Sequence, residues 1–151
     1  MGELKDRLKQ DLTTSMKARD ELRTSTLRMA LTAIGNEEVA GKAARTLSGE
    51  EELKVVAREA KKRREAAEAF RSGGADERAE RELAEEALLE TYLPAQLSDA
   101  ELQEIVARSV QESGATGPQA MGAVMKVVGP SVAGRAEGGR VAAAVRAALA
   151  Q

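Results

Sequence analysis

Residues 48–74 read SGEEELKVVAREAKKRREAAEAFRSGG, and their spacing suits only one kind of element. Leu53, Val56, Ala60, Arg63, Ala67 and Phe70 recur at alternating three- and four-residue steps. Such steps line up on one stripe of an α-helix and scatter over both faces of a strand. Ser48 and Glu51 form an S-x-x-E capping box, whose hydroxyl and carboxylate each satisfy a backbone N–H that a helix start leaves open. Gly73-Gly74 supplies the stop, so one long helix is predicted between them. Arg63 is the anomaly on its apolar stripe. A guanidinium there loses water at a cost of several kcal/mol unless a carboxylate from another helix meets its planar fork. Glu82, Glu86 and Glu90 are the candidates.

The same logic extends in both directions. Leu4, Leu8, Leu12 and Met16 fall at every fourth residue and predict a helix over most of 2–19. Leu22, Leu27, Ala30, Leu31, Ile34 and Val39 predict a second, ending near Gly41. After the glycines, Asp76 stands where it could cap a fourth helix carrying Ala79, Leu83, Ala87 and Leu88, which Pro94 stops near Tyr92. The stretch YLPAQLSDAEL then holds a second capping box, Ser98 to Glu101, and marks a boundary near 94–98. Glycine becomes more frequent beyond it and the helices shorten, to about 99–113, 118–128 and 139–150, with Pro118 suited to a first helical position. Val141, Val145 and Leu149 share one face of the last and should close a small core. The expectation is an all-α protein: a helical hairpin bundle of about four helices over 1–94, then a small three-helix domain over 95–151.

Composition removes several chemistries. With no Cys and no His, the chain can build neither a thiolate or imidazole zinc site nor a Ser-His-Asp or Cys-His arrangement. No carboxylate stands in an apolar run that would tune it for acid–base work, so no catalytic residue, metal or cofactor is expected. The segment GPSVAGR, 129–135, echoes a phosphate-cradling loop. It lacks the preceding strand, however, and carries Arg135 and Ala136 where Lys and a hydroxyl are required, so it reads as a turn between two short helices. Apolar runs are too short for a bilayer, MGELKDRLKQD lacks a signal-peptide core, and a soluble cytoplasmic protein without a membrane partner is expected.

The net charge of -2 confines any nucleic-acid site to a local patch. Lys54, Arg58 and Lys62 share a helix face, but acidic neighbours make it a solvated, paired surface. The better patch is the end of the chain, where Lys126, Arg135, Arg140 and Arg146 face Glu137 alone between Gly117 and Leu149.

LRMALTAIGNEEV, KKRREAAEAF, ETYLPAQLSDAEL and MGAVMKVVGPSVAGRAEGGRVAAAVRAAL resemble successive blocks of the GatB/YqeY family across nearly the whole chain. The most specific parts are Tyr92-Leu93-Pro94 with Gln96-Leu97, and Met121 to Lys126 followed by Gly134-Arg135-Ala136. Stand-alone members of that family look like the helical C-terminal tail of the GatB subunit of the tRNA-dependent amidotransferase, a tail that helps engage tRNA. The resemblance therefore implies a tRNA-binding or amidotransferase-related accessory protein, with tRNA, an amidotransferase or an aminoacyl-tRNA synthetase as partner. It implies an RNA-facing set of Gly122, Val124, Met125, Lys126, Gly134 and Arg135, to which Arg140 of the basic end is added. It also marks Arg28, Asn36, Glu38, Lys61, Arg63 and Glu65, read here as a structural polar network between helices. Two other readings stand beside this one: a component of a carbon–nitrogen ligase with glutamine as amido donor, and a purely structural helical interaction module.

Overall fold

In the computed structural model, every regular element among the described residues, 2–132 and 134–150, is helical. Met1, the first residue of the expected 1–94 bundle, Ala133, inside the 129–135 segment, and Gln151 lie outside the described residues. Four helices precede Pro94: α1 (Glu3–Lys17), α2 (Glu21–Glu38), α3 (Gly49–Ser72) and α4 (Asp76–Glu90). Three follow it: α5 (Asp99–Ser113), α6 (Met121–Val132), which a short 3-10 turn (Pro118–Ala120) leads into, and α7 (Gly138–Leu149). Packing divides the chain at that proline into two compact units, Met1–Pro94 and Ala95–Gln151.

In the first unit α3 and α4 form a hairpin around a tight turn, in which Gly74 takes the left-handed φ of 79° that a side chain would resist. Leu8 from α1, Leu27 and Ile34 from α2, Val56 from α3 and Leu89 from α4 are fully buried together, joined by Leu47 and Tyr92 from the connecting segments. The expected stripes are present with shifts. Met16, the last member of the α1 stripe, is exposed, and α2 stops at Glu38 rather than near Gly41, leaving Val39 62% exposed with nothing to pack on. Asp76 does not cap α4: the cap position is Ala75, without a side-chain hydrogen bond, because the turn delivers Asp76 already in helical conformation. The buried face of α4 is Ala79, Glu85 and Leu89, rotated from the apolar face read in the sequence; Leu83 and Leu88 are only partly covered and Ala87 is exposed.

Both capping boxes form. Glu51 N–H donates to Ser48 Oγ at 3.2 Å while Ser48 N–H donates to Glu51 Oε2 at 2.8 Å, and the Ser98–Glu101 pair repeats this at 3.1 and 2.9 Å. These backbone donors hold the Glu51 and Glu101 carboxyls below the ordinary range. The stabilisation they give is present above the unfolded-state pKa and is lost as pH falls through the lower folded one. Ser48→Ala is expected to cost about 1 kcal/mol by urea denaturation. Glu51→Gln should flatten the acid side of the stability profile.

The second unit closes around Val106 from α5, Val124 and Val128 from α6 and Val145 from α7. Pro118 opens its 3-10 turn at the expected first position. The turn expected over 129–135 is corrected: α6 runs through Pro130 to Val132. Pro130 sits on the exposed side, and burial of Val132 to 4% exposure favours the extra turn. Arg135 reinforces it, donating from Nη2 to the Ser131 carbonyl at 3.1 Å and from Nε to the Val132 carbonyl at 3.4 Å, which its own backbone N–H also meets at 2.9 Å.

Candidate functional site

Arg63 is 5% exposed, as its place on the stripe demands. Its Nη1 donates to Glu59 Oε1 at 3.0 Å, one turn back on α3, and its Nε lies 3.6 Å from Glu85 Oε2 on α4. The cross-helix carboxylate is therefore there, but it is Glu85 and not Glu82, Glu86 or Glu90, because the rotation of α4 points 85 inward. Burial pushes the Glu85 carboxyl above the ordinary range, with Glu82 adding to the shift and Arg63 and Arg81 opposing it. The sulfur of Met29 on α2 completes the cage, 3.2 Å from Arg63 Nη2.

The other members of the expected polar set are placed at separate points. Glu38 receives Lys5 from the start of α1 at 2.8 Å, and Arg28 lies 3.8 Å from the sulfur of Met16 at the other end of that helix. Asn36, Lys61 and Glu65 are exposed. Arg28, Glu38 and Arg63 thus each take partners from outside the set. On the basic stripe of α3, Arg58 pairs with Glu37 at 3.3 Å and Lys62 with Glu59 at 3.1 Å, which is the behaviour of a solvated face.

Tyr92 is buried, with its hydroxyl donating to Asp11 and the Arg7 guanidinium 4.5 Å above its ring. Burial first, then the bond to Asp11, pushes its pKa up to about 12, so its proton stays in place at neutral pH. Among the described residues no group of three His, Cys, Asp or Glu is arranged to hold a metal ion, and no helix is long and apolar enough to cross a membrane.

In the second unit the RNA-facing reading is corrected for Val124, which is fully buried in the core because it lies on the inner face of α6, and Met125 is partly buried against that core; the remaining residues of the set fall into two groups. Gly122 and Lys126 lie on the exposed side of α6, one turn apart, with Gly129 on the same side. A Cβ added at Gly122 or Gly129 would meet nothing within 4 Å, so packing does not require glycine there and the helix backbone lies open. Lys126 makes no ion pair among the described residues. Gly134, Arg135 and Arg140 gather instead against the segment entering α5. The Leu97 N–H donates to the Arg135 carbonyl at 2.7 Å, Gln96 Nε2 to the Gly134 carbonyl at 3.4 Å, and Arg140 Nη2 to the Leu97 carbonyl at 3.0 Å and Asp99 Oδ1 at 2.8 Å. Gly134 has φ 78°, a conformation that explains glycine at this turn. Arg140 is thus committed to the fold's own acceptors, whereas Arg135 keeps part of its guanidinium available.

Residues beyond those read from the sequence meet Arg135. Ile105, Arg108, Ser109 and Glu112 of α5, with Ser131 of α6, line a cleft of about 310 Å³ beside it. In the sequence Arg108 and Glu112 look like an ordinary surface pair one turn apart, and only the approach of the α6 end gives them a common cavity.

A family description, Yqey-like protein, matches residues 5–149. The chain belongs to the YqeY-like family. No curated protein gives a significant match to it. In this YqeY-like protein the two most specific parts of the resemblance are structurally joined, since Gln96-Leu97 bonds directly to Gly134-Arg135.

Proposed function

We propose that this YqeY-like protein is a tRNA-binding accessory protein related to the amidotransferase tail and without catalysis of its own. The unit up to Pro94 serves as a helical body, and the unit after it forms an RNA-facing domain. The observation that carries this reading is the open face of α6, where Lys126 stands between Gly122 and Gly129, neither of which has a side chain to hold a partner away. A phosphate backbone can approach such a face to contact distance, and an ammonium with no carboxylate partner is available to it. The resemblance to a tRNA-engaging tail supports the same choice. Arg135 adds a second charge, while Arg140 holds the turn that presents it.

Fluorescence anisotropy with labelled tRNA tests the proposal. Lys126→Ala should weaken binding about fivefold to tenfold and reduce the salt slope by about one. Gly122→Leu should weaken it without altering that slope, by blocking approach. Leucine is also the better helix former at an open position, so this loss would not reflect unfolding. Wild-type affinity in both variants would overturn the reading, as would glutamine-dependent amidation of mischarged tRNA by the purified chain alone.

A further inference from the structure

We infer that the cleft between α5 and the end of α6 is a phosphate-binding site with Arg108 as its principal charge, taking a phosphate group either from the RNA backbone or free in solution. The inference extends the RNA reading and rests on it for the first of those two sources. Arg108 and Arg135 both line the cleft, with Glu112 as the one carboxylate among the described lining residues; Glu101 on α5 also feels the charge of Arg135, which leaves Arg108 as the cation with no carboxylate of its own. Arg108 is exposed and makes no ion pair among the described residues, so its planar fork is available for two oxygens of one anion.

Arg135 is held in place differently. Its Nη2 and Nε are spent on the Ser131 and Val132 carbonyls, which offsets the negative end of the α6 dipole. Its Nη1 makes no hydrogen bond among the described residues and remains for a ligand. Ser131 contributes a hydroxyl with no partner among the described residues. The buried Ser109 has already given its proton to the Ile105 carbonyl at 2.9 Å and serves only as wall. A volume of about 310 Å³ lies at the small end of ligand sites, enough for one phosphoryl group with part of a sugar. Lining by two guanidiniums and the Ser131 hydroxyl, with Ile105 as the only apolar side chain among the described lining residues, selects a tetrahedral oxyanion over an apolar ligand.

NMR titration of the full chain with inorganic phosphate, followed on backbone amides and arginine Nε–H groups, provides the test. Shifts should centre on Arg108, Ser131 and Arg135. Arg108→Gln should weaken binding about tenfold, the scale of one lost charged hydrogen bond. Glu112→Gln should tighten it a few-fold by removing the opposing carboxylate. Arg146→Gln, the same charge change on α7 away from the cleft, should leave it unaltered. Equal effects of Arg108→Gln and Arg146→Gln, or shifts spread over the surface, would overturn the assignment.

A parallel series with tRNA separates the two readings. Loss of tRNA binding in Lys126→Ala but not in Arg108→Gln, with no focused phosphate response, sinks the cleft and keeps the RNA proposal. An Arg108-dependent phosphate response without any tRNA binding keeps the cleft as a site for free phosphate and sinks the RNA proposal.

Discussion

Replacing Arg63 with Met is expected to destabilise the first unit by about 3–5 kcal/mol, the scale for stranding a buried partner of an ion pair. The loss resides in what stays behind. Glu59 and Glu85 are each 7% exposed and would keep their carboxylates with only the exposed Lys62 and Arg81 as partners, on the far side from the lost guanidinium. Further substitution of both glutamates by Leu should therefore recover most of the loss, since apolar packing of similar volume can match a buried ionic cluster. The sign of the pH dependence is fixed as well. Glu85 already has a raised carboxyl pKa, and removing Arg63, one of the groups opposing that shift, raises it further. The resulting penalty exists where the folded protein must hold the ionised form, and it fades as pH falls toward the unfolded-state value of about 4.3. Urea midpoints for Arg63→Met at pH 7 and pH 4.5 check this. A deficit equal at both values would mean that lost packing, and not stranded charge, sets its size.

The second large effect is expected at Tyr92. Tyr92→Ala removes a buried aromatic and should cost about 3–5 kcal/mol. Tyr92→Phe keeps the ring beneath Arg7 and removes only the hydroxyl from Asp11, for about 1–2 kcal/mol. A phenol whose pKa rises from 10.0 to about 12 on folding lends stability that is complete below pH 10 and is lost as pH climbs through 12. Tyr92→Phe should abolish that alkaline slope while keeping most of the fold's stability at neutral pH. If it proves as damaging as Ala, the hydroxyl bond and not the ring dominates at this position.

What the amino-acid order reveals directly is chemistry that acts within one turn. The two Ser-x-x-Glu boxes, Pro118 at a helix start and the glycine stop after Ser72 depend on neighbours three or four residues away, and all appear as expected. Rotation of a helix about its own axis is a tertiary property. The apolar positions of α4 suggest one face, yet packing against α3 turns Glu85 inward and Ala87 outward, so a buried carboxylate is disguised as surface charge. Glu52, 1% exposed near the start of α3, is disguised in the same way among its acidic neighbours. Pro130 misleads for the opposite reason: its local rule is real, but the ring falls on the open side, and Arg135 supports the last turn by meeting the Ser131 and Val132 carbonyls. The candidate site divides similarly. Lys126 and the glycines beside it are visible as a helical face, whereas the pairing of Arg108 with Arg135 requires two helices to meet.

Every buried residue of the first core, from Leu8 to Tyr92, precedes Pro94, and every buried residue of the second, from Leu97 to Leu149, follows it. During synthesis the ribosome therefore completes one core before the first buried residue of the next is made. Tyr92 is the last buried member to emerge, and until it does Asp11 and Arg7, translated some eighty residues earlier, wait for their partner. The nascent first unit thus lacks the Asp11–Tyr92 bond and the Arg7 contact until its synthesis is almost complete.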